Sequence, residues 1–101
     1  MPTLPPPPMT NAEMYDDTCR RVYEGRARLY ELNGIDPSIQ NTVVVVSGTR
    51  FTQCVAEFRE RAYAINAIVL VEGYMTVYGL PLRIDDRLTN NDIRFRAEVK
   101  V

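Results

Sequence analysis

The chain has no histidine, and Lys100 is the only lysine among its 12 basic residues. The missing imidazole removes the commonest general base near neutral pH and the commonest metal ligand together, which weighs strongly against catalysis. Cysteine is scarce too: Cys19 and Cys54 form no CxxC pair, so they outline neither a zinc site nor a redox motif. No long apolar run is present. The longest, "AIVLV" at 67–71, is far too short to cross a bilayer. The leader "MPTLPPPPMTN" has no basic residue and no apolar stretch of signal-peptide length, which reads as a soluble chain made in a cytoplasm. An excess of positive charge is also lacking. A net charge of -1 and a pI near 5.4 argue against nucleic acid as the principal ligand, for which a basic domain is the usual footprint.

What is present begins with proline. The run Pro5, Pro6, Pro7 and Pro8 fixes φ at each position and favours extended polyproline II, so residues 1–9 read as an arm outside the packed region. At about 3.1 Å per residue such an arm reaches roughly 25 Å. Residues 10–101 then read as one α+β domain: two helices packed on a small, mostly antiparallel sheet. The first helix starts at a capping box, Thr10 with Glu13, flanked by the staple positions Met9 and Met14. Tyr15, Cys19, Val22, Arg26 and Leu29 recur at helical spacing, and Asp16–Arg20, Asp17–Arg21 and Glu24–Arg28 are i,i+4 pairs in the favourable order. Asn33 and Gly34 close it, and "DP" at 36–37 confirms the stop. Gly25, costly inside a helix, marks a close packing contact.

"TVVVV" at 42–46 is β-branched throughout and predicts a strand buried on both faces. A second helix is expected over 50–65, its inner face traced by Phe51, Cys54, Val55, Phe58, Ala62 and Ile65. "AIVLV" is compatible with helix or strand. Alternation returns at 74–78, a turn follows at 79–81, and Leu82 and Ile84 resume the pattern. The last segment, "IRFRAEVKV" at 93–101, puts Ile93, Phe95, Ala97, Val99 and Val101 on one side and Arg94, Arg96, Glu98 and Lys100 on the other. This strand is expected to pair with the segment at 74–84 and to be covered by the second helix. Its other edge, or its basic face, is left to meet a neighbouring chain.

Three patterns invite a chemical reading and lose it. "SGTR" at 47–50 lies where a phosphate loop would lie but lacks the long glycine-rich loop and the Lys-Ser/Thr pair; Ser47 or Thr49 suffices as a helix cap. Asp85, Asp86, Asn90, Asn91 and Asp92 crowd one turn, but without the alternation, glycine and terminal glutamate of an EF-hand. Asp16 and Asp17 are sequence neighbours on a helix and point apart. Cys19 and Cys54 fall on apolar helical phases and read as reduced core thiols. Neither a cofactor, a metal nor a small-molecule substrate is therefore expected.

The segments "VVVVSGTRFTQCVAEFRER" at 43–61 and "GLPLRIDDRLTNNDIRF" at 79–95 together resemble small structural proteins and capsid-type domains of tailed bacteriophages, in which a strand, a helix and a G-x-P-x-x-x-D-D-x-L segment closed by an alternating strand recur. The resemblance covers a little over half of the chain and carries no catalytic residues. It implies a virion structural or assembly component (capsid-associated, connector or tail), and the chain is too short for a whole major capsid subunit. The expected partners are other copies of the chain or other virion proteins, met through Pro5, Pro6, Pro7, Pro8, Arg94, Arg96 and Lys100. A small regulatory binder, such as a phage-encoded inhibitor of a host protein, is the alternative.

Overall fold

A computed structural model describes residues 8–37, 41–61, 68–71 and 74–98. The described elements run α1 (Asn11–Asn33), β1 (Thr42–Val46), α2 (Gly48–Glu60), β2 (Ile68–Val71), β3 (Tyr74–Val77), β4 (Leu80–Ile84) and β5 (Ile93–Ala97). The fold is α+β: the two helices pack on each other and on a mixed sheet of order β2-β3-β4-β1-β5, in which only β1 and β4 run parallel.

Both ends of α1 follow the local chemistry. Thr10 Oγ1 accepts from the Glu13 N–H at 3.2 Å and Glu13 Oε1 accepts from the Thr10 N–H at 3.0 Å, closing the capping box. Gly34, at φ 70°, takes the left-handed position after the last turn and donates to the Tyr30 carbonyl at 2.7 Å. The expected ion pairs form in part. Asp17 meets Arg21 at 3.5 Å, but Arg20 turns to Asp17 and Glu24, and Asp16 reaches across to Arg61 at the end of α2. Ser47 caps α2 by accepting from the Arg50 N–H. The described helix ends at Glu60, and residues 62–67, including Ala62 and Ile65, lie outside the described residues. "IVLV" at 68–71 is a strand, which resolves the ambiguity of that run.

β1 is buried along its whole length, because its neighbours on both sides and the layer above it exclude water. Register sorts the two faces of the sheet. Val44 and Val46 stand beside Phe95 and Ile93 on one side and Leu82 and Ile84 on the other. Val44, Val46, Leu82, Met75, Val77 and Leu80 form the helix-facing core with Tyr15, Val22 and Cys54, Ile93 and Phe95 pack against it, and Ile84 stays exposed. On the opposite face Val43 and Val45 stand beside Arg96 and Arg94, with Arg83 on the far flank of Val45. Long arginine stems can cover apolar surface while their heads stay in water.

The β3–β4 hairpin turns on Tyr78 and Gly79, with φ 48° and 79°, the double positive φ of a tight two-residue turn. The turn is therefore one residue earlier than the 79–81 expected, and Leu80 and Pro81 already belong to β4. Pro81 is tolerated in an interior strand because pairing to β1 begins only at Leu82.

Two expectations for the last strand are corrected. β5 pairs with β1, in antiparallel register from Thr42–Ala97 to Val46–Ile93, and not with the segment at 74–84. A strand buried on both faces and both edges needs two neighbours, and β4 supplies only one. The helix over β5 is α1 rather than α2, because α2 lies over β4 on the other side of β1. Gly25 is where that contact is made: a Cβ there would run into the ring edge of Phe95, so the glycine admits the ring. Residues 99–101, with Val99, Lys100 and Val101, lie outside the described residues.

Candidate protein-interaction site

β5 is the terminal strand of the sheet, and its outer backbone edge has no strand partner among the described residues. Which groups lie on that edge follows from the ladder. The Glu98 N–H donates to the Asn41 carbonyl at 2.9 Å, so the pair 41/98 is hydrogen-bonded, and in an antiparallel ladder bonded and non-bonded pairs alternate. Arg96 and Arg94 therefore aim their backbone groups at β1. Ile93, Phe95 and Ala97 aim theirs outward.

The side chains along this edge divide by face. Ile93 and Phe95 are half-buried toward α1, whereas Arg94 and Arg96 are exposed on the other face. Arg83, on the same face, is held by Glu98 through two contacts of 3.2 Å, which keep the Glu98 carboxyl below its ordinary range. Neither Arg94 nor Arg96 forms a salt bridge among the described residues, although the charge of Arg94 acts on Asp92 and that of Arg96 on Asp85 and Glu98 at longer range. Of the other residues expected to make contacts, Pro8 is exposed, whereas Pro5, Pro6, Pro7 and Lys100 lie outside the described residues.

The start of β5 is fixed by a group that the sequence reading passed over. Arg50, in the first turn of α2, is fully buried. Its Nη1 donates to Asp17 Oδ2 at 3.0 Å and to Thr18 Oγ1 at 2.7 Å, and its Nε donates to the Asn90 carbonyl at 2.8 Å. Nη2 has no partner among the described residues. Ser47 Oγ donates to Asn90 Oδ1 at 2.9 Å, and Arg21 reaches the Asn91 carbonyl at 2.7 Å. The turn that delivers the chain into β5 is thus bonded to α1, to α2 and to the end of β1. A signal for Arg50 existed in the helical phase, since it sits one turn before Cys54.

The chemical patterns set aside above are explained by these contacts. Asp86 Oδ1 lies 2.8 Å from the point a Cβ on Gly48 would occupy, so a carboxylate stands at the start of α2 where a phosphate loop would receive an anion. Asp85 is turned to Arg87, whose side chain and backbone hydrogen bonds hold its carboxyl down to about 2, and Asp92 accepts from the Thr89 N–H. No group of three or more potential metal ligands occurs among the described residues. Cys19 and Cys54 are free thiols, with Cys54 buried beside Thr18 Oγ1 at 3.5 Å. Burial pushes the Cys19 thiol up to about 11 and that of Cys54 above its ordinary value. No helix among the described residues is long and apolar enough to cross a membrane.

No protein-family model matches the chain, and neither a curated protein nor a solved structure is significantly similar to it.

Proposed function

We propose that the chain is a non-enzymatic assembly protein that works by protein–protein contact, taking a strand of another chain onto the outer edge of β5. The observation that carries this reading is the row of outward N–H and C=O groups on Ile93, Phe95 and Ala97, presented by a strand that nothing blunts. Natural edge strands are usually protected by proline, a bulge or an inward-pointing charge. β5 has none of these among its described residues, and its arginines point out of the sheet plane rather than along the edge. The resemblance of residues 43–61 and 79–95 to small structural proteins of tailed phages supports a virion setting, capsid-associated, connector or tail, with the proline arm as a second docking element. Its partners would then be other copies of the chain or other virion proteins.

The test is a photo-crosslinking residue at position 97, with a second at exposed Thr49 on α2 as control, expressed in the natural host cells. Position 97 is expected to yield an adduct of one defined mass that sediments with assembled particles, and position 49 none. Equal labelling at both positions would defeat the edge reading. An adduct with a soluble host protein would replace the virion setting by the inhibitor alternative.

A further inference from the structure

The open edge of β5 is bordered by a trough whose floor is apolar and whose α1 wall also carries charge. Between α1 and β5 lies a cavity of about 360 Å³ lined by Leu29, Leu32, Ile93 and Phe95, with Gly25 and the charged Arg21, Glu24 and Arg28 of α1 completing its wall. A second, of about 380 Å³, continues it past Phe95 to Asn33 and Ala97, with Thr42 and Arg96 also lining it. Leu32 is 75% exposed, although it lies on the flank of α1 that faces this trough. A strand added to β5 would project alternate side chains into the trough and the others beside Arg94 and Arg96.

The two faces impose different chemistry on the incoming strand. On the trough side, apolar side chains would cover Phe95, Leu29 and Leu32. On the other, Arg94 and Arg96 are exposed and in no salt bridge among the described residues, with Asp92, Asp85 and Glu98 acting on them only at longer range, while their neighbour Arg83 is bonded to Glu98. A second copy of β5 is a poor occupant. The antiparallel register that pairs all three outward residues is centred on Phe95, and it sets Arg94 opposite Arg96 of a second copy, twice. Like charges directly opposite across strands are destabilising.

Resting on the edge reading above, we infer that the occupant is an extended segment of a different protein, with alternating side chains apolar toward α1 and acidic toward Arg94 and Arg96. The strand supplies backbone bonds that are indifferent to sequence, and the two faces supply the selection.

Two short synthetic peptides test this, one alternating valine with glutamate and one alternating valine with lysine, each titrated against the full chain with amide exchange read at Ile93, Phe95 and Ala97. The acidic peptide is expected to bind at least tenfold more tightly than the lysine peptide and to slow exchange at those three amides. Arg94→Glu with Arg96→Glu is expected to reverse the order of preference, and Leu32→Asp to weaken both peptides. Ala97→Pro removes an outward N–H without touching a bond to β1 and is expected to abolish binding of either, with the fold checked by circular dichroism. Equal binding of the two peptides, unchanged by the arginine reversal but lost in Ala97→Pro, would overturn the acidic partner and leave the edge reading standing. A homodimer lost in Ala97→Pro would do the same. No binding of either peptide, or binding that Ala97→Pro leaves intact, would overturn the inference outright.

Discussion

Arg50→Met isolates the contribution of the buried guanidinium. The methionine fills most of the stem's volume, so the loss falls on the polar contacts: Asp17, Thr18 Oγ1 and the Asn90 carbonyl each lose a donor. Removing one partner of a buried ion pair costs about 3–5 kcal/mol, because the remaining charge is left without compensation. Asp17 is not left alone here, since Arg20 stays at 2.9 Å and Arg21 at 3.5 Å and its side chain is 16% exposed. The lower end applies, about 3 kcal/mol, which in a domain of this size lowers the thermal midpoint by about 12–24 °C. Burial pushes the Asp17 carboxyl up, but hydrogen bonds from Arg50 and Arg20 and the charges of Arg50 and Arg21 outweigh it, so its pKa lies below the ordinary 3.8. A depressed carboxylate pKa stabilises the fold above the unfolded value, and that contribution is lost as pH falls through the folded value. The gap between wild type and Arg50→Met should therefore be full at pH 7 and narrow once pH falls below 3.8. Thermal melts at both pH values, with Asp17→Asn and the double mutant completing a cycle, measure it. A midpoint drop under about 4 °C at pH 7, or additivity in the cycle, would refute the reasoning.

Two further outcomes follow from packing. Gly25→Ala should gain about 1 kcal/mol of helix propensity and lose about 1–3 kcal/mol to the Phe95 ring, for a net loss; in a Phe95→Ala background the same change should stabilise, and a gain in both backgrounds would show that the ring does not rest on Gly25. Cys54 is buried and Cys19 half-buried, and burial raises both thiol pKa values, so thiolate is scarce at pH 8; alkylation in the native protein should be slower than in urea at both, and at least a hundredfold slower at Cys54. Fast native labelling of Cys54 would contradict its burial.

The parts of this fold that could be read from the sequence are those in which one short stretch determines the outcome. The capping box at Thr10 and Glu13 closes on itself within a turn, Gly34 meets a requirement of its own φ, and five β-branched residues in a row had to lie in the middle of a sheet. Gly25 announced a close contact, though not that Phe95 would make it. What failed was pairing at a distance. The alternation of "IRFRA" fixes which side chains share a face but is silent on which strand lies alongside, and β1 needed β5 because β4 left one of its edges uncovered. Arg50 was missed because a charged residue is ordinarily assigned to solvent, and its partners Asp17, Thr18 and Asn90 come from two distant segments. That β5 would keep one edge open could be anticipated for a simpler reason: its described residues carry no proline or glycine that would blunt it.

The buried arginine and the open edge meet at the turn before β5. An edge strand binds well only if it is already held straight, since ordering it on binding would subtract from affinity. β5 has β1 on one side and α1 above, but its beginning is positioned by Asn90 and Asn91, which Arg50, Ser47 and Arg21 hold by hydrogen bonds. Arg50→Lys separates the two roles of the guanidinium. The ammonium retains a charge for Asp17, yet a point charge on a flexible stem cannot span Asp17, Thr18 and the Asn90 carbonyl as the planar fork does. The turn should loosen while the helices stay packed. Amide exchange at Ile93 and Phe95 should then quicken, and crosslinking from position 97 should fall several-fold in a protein whose circular dichroism is unchanged. Crosslinking at the wild-type level, with stability nevertheless reduced, would mean that Arg50 supports the fold without preparing the edge.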